Sequence, residues 1–209
     1  MNAFYAGAGG TVSMGTNTEY DGTDVSTLTL TNMSTAVTAV TGLLDKSSSP
    51  KGPPTTSAIL QEVTKMIKNP VVNGYYPVYI DGKRGGAGYC AWHSWGSVNG
   101  VPVQFGFFFN LDSDRGCDPQ AGLSTVTYQS QGIAAIGNLT GHELSEVVTD
   151  PRGAGWRDSS GYENSDKCAW TFNGVSTFSD VKTWKIQGNW SNSAYNNKSG
   201  YANGGCING

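Results

Sequence analysis

The sequence predicts an α+β fold, a mainly antiparallel sheet with a few packed helices and a loop-rich, disulfide-tied C-terminus. Three observations predict it. Strand-length stretches at Tyr75 to Ile80, Gly88 to Trp95 and Val101 to Asn110 follow one another mid-chain, with Gly-rich turns such as 82–86 between them. Apolar residues recur at helical spacing in three other windows. The composition is that of a chain with many turns: 29 glycines, and 14% charged residues against roughly 25% in an average soluble protein.

With 209 residues, 37% of them hydrophobic and 11% aromatic, the chain suits one domain, 1–209, around one core. Residues 1–31 are Gly/Thr-rich. Within them Thr11 to Met14 and Ser26 to Thr31 alternate polar and apolar residues, as strands or strand-like loops do. Val37, Val40, Leu43 and Leu44 predict a helix over 33–45, and the Ser/Pro-rich run 47–54 a surface loop. Thr56 or Ser57 caps a second helix carrying Ile59, Leu60, Val63, Met66 and Ile67, which Asn69-Pro70 stops. After the strands comes a helix near 132–149, carrying Ile133, Ile136, Leu139, Leu144, Val147 and Val148 and ended by Asp150-Pro151. Beyond it the one strand expected is Val181 to Ile186.

Charge and hydropathy exclude two partner classes. The net charge is −3 with no Lys/Arg block, which argues against nucleic acid. No apolar run approaches the roughly 18 residues that span a bilayer. Met1 leads into Asn2-Ala3-Phe4-Tyr5 without a basic start or an apolar run, so a cytosolic chain and a mature secreted one both fit. Cys90, Cys117, Cys168 and Cys206 favour the second, because an even number without a CxxC motif predicts two disulfides and an oxidising compartment. Three pairings are possible; proximity favours Cys90–Cys117 and Cys168–Cys206. Asn32, Asn138, Asn189 and Asn197 begin glycosylation sequons, which chance supplies readily in a chain this rich in Asn, Ser and Thr.

Chemistry concentrates in Gly141-His142-Glu143-Leu144-Ser145-Glu146. At i and i+4, His142 and Glu146 share one helical face and can hold one metal ion, with Glu143 beside the water it activates. This is the pattern of a zincin helix, with Glu146 where such helices carry a second His. A third ligand is expected from the acidic stretch that follows: Asp150, Asp158, Glu163 and Asp166. Asp150 is about 12 Å along the helix axis from His142 and reads as a helix-end cap. Gly153 and Gly155 let the chain reverse beneath the helix, making Asp158 the first choice and Glu163 the second. A solvated acidic face is the alternative reading. His93, between Trp92 and Trp95, is either a packed histidine or a cleft group, acting as a fourth ligand or as a donor to a developing oxyanion. Asn110, Asp112, Asp114 and Asp118 partly match a calcium loop, with Gly116 one place late and no Glu at position 12; the alternative is a turn-rich loop. Nucleophile motifs and phosphate loops are absent. The six tryptophans suit sugar stacking or ordinary packing.

Tyr89-Cys-Ala-Trp-His-Ser94, GHELSEVVTDP at 141–151 and the run Gly155 to Cys168 together resemble microbial relatives of the plant phosphate-induced, EXORDIUM-like secreted proteins. The resemblance spans roughly residues 75–175. It implies secretion and a disulfide near each motif, in a family whose plant members lack the His-Glu pair and have no established chemistry. The function expected is that of a secreted zinc-dependent hydrolase, a metallopeptidase that works as a monomer on a polypeptide. Zn²⁺ would be held by His142, Glu146 and Asp158 or Glu163, with Glu143 as general base. Two alternatives stand beside it: a non-catalytic cell-wall or carbohydrate-binding module with structural Ca²⁺, and a glycosidase using two of Glu143, Glu146 and Glu163.

Overall fold

The computed structural model describes residues 1–8, 11–20, 42–47, 52–72, 74–119, 129–178 and 182–207. In chain order these contain α1 (Asn2–Ala8), α2 (Val12–Thr16), a 3₁₀ turn (Asn17–Tyr20), α3 (Thr56–Met66), β1 (Tyr75–Lys83), β2 (Ala91–Val98), β3 (Val101–Asn110) and α4 (Gln131–Thr149). A loop-rich C-terminal part follows, with β4 (Ser176–Thr177), β5 (Thr183–Trp184), β6 (Asn189–Trp190), α5 (Asn192–Asn197) and β7 (Cys206–Ile207). The fold is α+β.

The main sheet has the order β1-β3-β2. β2 and β3 form an antiparallel hairpin across Asn99-Gly100, both at positive φ (52° and 81°), the conformation a two-residue turn between right-twisted strands requires. β1 pairs with β3 in parallel, Tyr79 opposite Phe108, so the sheet is mixed, while the C-terminal pairs β4–β5 and β6–β7 are antiparallel. As the central strand, β3 is buried from Val103 to Phe109, which explains its unbroken apolar run.

Alternation along the strands divides the sheet into two faces. Trp92 stacks on Phe107, and Gly96 lies against Leu60 of α3, on one face. His93, Gly106, Tyr79 and Phe108 point the other way, toward α4, where the Tyr79 hydroxyl meets Thr140 Oγ1 at 2.9 Å. The sheet therefore sits between α3 and α4, and His93 faces α4.

α4 begins at Gln131, one residue before the expected start, and Ser130 caps it, its hydroxyl accepting from Ile133 N. Most of the helix is buried, and its small residues allow this. A Cβ on Gly137 would lie 2.5 Å from the Trp184 ring, and one on Gly141 3.4 Å from Phe4. On its far side Phe4, Phe178, Trp184, Ile186 and Leu144 form a second apolar cluster.

The N-terminal expectation is corrected. Thr11 to Met14 is helical, because the Thr11 hydroxyl caps α2 by accepting from Met14 N, and α1 precedes it, with Phe4 edge-on to Trp184. Of the helix expected over 33–45, residues 33–41 lie outside the described residues and 42–45 are non-helical. Ser26 to Thr31 also lies outside them. Thr55, not Thr56 or Ser57, caps α3, and the strand expected over 181–186 is confined to β5, residue 181 lying outside the described residues.

Both disulfides pair as proximity favours, Cys90–Cys117 and Cys168–Cys206. They indicate an oxidising compartment. Among the described residues no helix is long and apolar enough to cross a membrane. Asn138 and Asn189 are buried, unfit as glycan acceptors, whereas Asn197 is exposed and Asn32 lies outside the described residues.

Candidate metal centre

α4 carries His142, Glu143 and Glu146 past the inner face of β2, and the loop after the helix brings Glu163 and Asp166 back to them. The loop reverses at Asp150, whose carboxylate accepts from Gly155 N at 2.5 Å and from Arg157 Nε at 2.7 Å. Gly153 is at φ 70°, and a Cβ on Gly155 would lie 2.2 Å from Thr149 O, so the reversal needs its glycines. A buried polar network then holds 163–166 against the helix. Asn164 bonds Thr149 and Asn17, Asn17 and Asn189 bond Ser145, and Ser165 bonds Asn189 and the carbonyl of His142.

Two triads result, each with its ligand atoms within 4.8 Å of one another. In the first, His142 Nε2 lies 3.0 Å from Glu146 Oε1 and 3.6 Å from Asp166 Oδ1, and Asp166 N donates to the same Glu146 oxygen. In the second, His93 Nδ1 lies 3.0 Å from Glu143 Oε2 and 3.4 Å from Glu146 Oε2. A tetrahedral zinc site with bonds near 2.1 Å has ligand–ligand edges of about 3.4 Å, so both triads have the size of such a site. Around them Glu163 Oε1 lies 3.6 Å from His93 Nε2, and its other oxygen 3.5 Å from Arg157. Gln187 turns its side-chain amide to His142 Nδ1 at 2.9 Å.

None of the protein-family models, curated proteins or solved structures compared with this chain matches it.

The electrostatics follow from crowding acids and imidazoles in one buried place. Burial opposes charge on His142, but Glu146, helped by Glu143 and Asp166, outweighs it and holds the ring's pKa up to about 10. His93 stands well above its ordinary value in the same way, its burial outweighed by Glu143 and Glu146. Glu146 is buried too, yet the two rings hold it below the usual carboxylate range. Glu163 is pushed the other way, first by burial and then by the charge of Glu146. Asp166 is raised for the same two reasons.

The structure thus brings together His93, His142, Glu143, Glu146 and Glu163, and adds Asp166 and Gln187. Asp158 is not among them. Its carboxylate accepts from Ser160 N, Tyr162 N and Lys167 Nζ, closing its own turn. The acidic run pointed toward Asp166, but nothing in the local pattern distinguishes it from Asp158; for Gln187 there is no sequence signal. Asn110, Asp112 and Asp114 have partners within the protein. Asn110 Oδ1 accepts from Lys83 and Asp112 N, Asp114 takes Arg84 through both oxygens, and Asp112 sits over Gly132 at the start of α4. Asp150 caps the helix end, as its distance from His142 implies.

Proposed function

We propose that this chain is a secreted zinc-dependent hydrolase, a peptidase in which His142, Glu146 and Asp166 hold the ion. The observation that carries the reading is the first triad standing next to the Glu143–His93 pair, a cation seat beside an oriented carboxylate. Zinc in that seat supplies a Lewis acid that polarises a scissile carbonyl and acidifies a water. Glu143 takes the proton of the attacking water and hands it to the leaving amine. His93, through Nδ1, holds the Glu143 carboxylate in place and spreads its charge. Two carboxylate ligands make a softer pull on substrate than two imidazoles, so weaker zinc affinity than in two-histidine sites accompanies this ligand set.

Asp166 takes the place first given to Asp158 because it is the acid whose oxygen reaches His142 and Glu146. It is also the most accessible member of its triad and the one of the three that lines an open cleft of about 560 Å³, with Tyr162, Trp190 and Tyr195. An imidazole in each triad favours zinc or another transition metal over calcium, which prefers oxygen throughout. One observation favours a glycosidase instead: Glu163, held protonated next to ionised Glu146, has the makings of an acid paired with a carboxylate.

Elemental analysis of the purified chain, combined with a protein-digestion assay with and without chelator, tests the proposal. Near-stoichiometric zinc and chelator-sensitive digestion are expected. A chain that carries no transition metal, or digests equally well after chelation, overturns it, and glycan cleavage indifferent to chelation would favour the glycosidase.

A further inference from the structure

Glu146 does not face one imidazole but two. Its Oε1 is directed at His142 Nε2 (3.0 Å) and its Oε2 at His93 Nδ1 (3.4 Å). A carboxylate so divided has the disposition of a bridge between two cations. We propose that His93, Glu143 and Glu146 form a second transition-metal seat sharing Glu146 with the first, and that filling it shuts the hydrolase down. The inhibitory half rests on the reading of the first triad as the hydrolase's zinc seat; the second seat itself stands on its own geometry.

Three further observations support it. The distances from His93 Nδ1 to the two carboxylates, 3.0 and 3.4 Å, match the edges of about 3.4 Å expected for zinc or cobalt in tetrahedral coordination. A ring bound through Nδ1 must keep its proton on Nε2 and give it to an acceptor. Glu163 supplies one: it is 6% exposed, its Oε1 has no hydrogen-bond partner, and that oxygen lies 3.6 Å from His93 Nε2. Charge points the same way. Glu143, Glu146, Glu163 and Asp166 gather around two imidazoles, while the Arg157 guanidinium beside them is engaged chiefly by Asp150. Two dications match the four acids in full when all four are ionised and both rings are neutral.

The consequence is chemical. An ion in the second seat takes the place of His93 on Glu143 Oε2, and its charge lowers the basicity of the carboxylate that has to accept the proton of the attacking water. Loss of a general base costs on the order of a hundredfold or more in rate. Activity should therefore rise with the first equivalent of metal and collapse with the second.

Cobalt titration of the chelator-stripped, full-length chain tests this, with bound metal counted after gel filtration and digestion of a peptide followed in parallel. Two equivalents are expected for the native chain and one each for His93→Gln and Asp166→Asn, checked for a cooperative thermal transition. Digestion by the native chain is expected to fall about a hundredfold as the second equivalent binds. Saturation of the native chain at one equivalent overturns the second seat and leaves the hydrolase reading standing; failure to bind any cobalt overturns both. A His93→Gln chain that still takes two equivalents places the second ion elsewhere and overturns the assignment. Two equivalents bound with digestion undiminished overturns the inhibitory role. The native stoichiometry decides the matter even if a variant does not fold.

Discussion

His93 Nδ1 on β2 lies 3.0 Å from Glu143 Oε2 on α4, a contact between residues 50 positions apart that joins the sheet to its central helix. It depends on two periodicities meeting. Strand alternation turns His93 to the α4 face with Gly106 and Tyr79, and the helical turn puts Glu143 next to Glu146 on the side facing β2. Both side chains are largely buried, so neither charge is screened by solvent, and each is the other's main compensation.

Glu143→Gln removes the base while keeping its shape. The amide cannot accept the proton of a water, so kcat/KM for a peptide should fall by about 10²–10⁴-fold. The ion held by His142, Glu146 and Asp166 should stay, because Glu143 is no part of that triad. Stoichiometric zinc with full activity would take Glu143 out of the mechanism.

The metal-free protein should be most stable in mildly acidic solution. His142 and His93 are raised by their carboxylates, so the stability they contribute is complete below about pH 6.5 and is lost as pH climbs toward about 10 for His142. Glu163, also raised, loses its share as pH rises from about 4.5 to about 8. Glu146 is lowered, so its share is present above about pH 4.5 and lost on acidification. The melting temperature without metal should peak between about pH 4.5 and 6.5 and decline toward pH 9. Zinc has to displace protons from the rings, so its affinity should rise about tenfold per pH unit in that range and cancel the decline. Thermal scans from pH 4 to 10 with and without zinc check this; a metal-free melting temperature that climbs from pH 6 to 9 would mean the rings are not charged.

What could be read from the sequence tracks how local each cause is. The span of α4 and the meeting of His142 with Glu146 follow from the helical period alone, and β1 to β3 from aromatic and β-branched runs between glycines. α1 and α2 could not be read this way. They are five to seven residues long, too short for a period, and are held by tertiary packing, α1 through Phe4 against Trp184 and Phe178 and α2 through Met14 in the same cluster. The ligand from the loop was ambiguous for a related reason. Whether Asp158, Glu163 or Asp166 reaches the helix depends on how Asn17, Asn164 and Asn189 anchor that segment, and Asn17 is 147 positions from Asn164. His93 was recognisable as a candidate, but its direction became definite only with the register that sets it opposite Gly106.

Gln187 should tune the first seat without touching the ion. For His142 to bind through Nε2, Nδ1 must carry a proton and find an acceptor, but the buried Gln187 group 2.9 Å away is its NH2, a donor that also bonds Ser165 O, while Gln187 Oε1 accepts from Trp170 N. Gln187→Glu puts an acceptor beside Nδ1 and should tighten zinc binding about 10–100-fold. Gln187→Leu removes the opposing donor and should bind zinc no more weakly than the native chain. Zinc affinity that falls in both variants, measured by competition with a chromophoric chelator, would reduce Gln187 to a packing role.

The two disulfides should be separable by what they support. They close loops of similar length, 27 and 38 residues, and each should contribute about 4 kcal/mol by restricting the unfolded chain. Their places differ. Cys168 ends the 3₁₀ turn Asp166–Cys168, so the bridge to Cys206 pins the turn that presents the Asp166 carboxylate. Cys90 precedes β2, where His93 is held by the ladder to β3 whether or not the bridge to Cys117 exists. Alanine at both Cys168 and Cys206 should therefore lower stability and also weaken zinc binding about tenfold or more, as loss of a support for one ligand does. Alanine at both Cys90 and Cys117 should lower stability by a similar amount and leave zinc affinity near the native value. Chemical denaturation gives the first quantity and chelator competition under native conditions the second. Equal loss of affinity in the two double variants would show that zinc reads only global stability and that the 166–168 turn does not position its carboxylate.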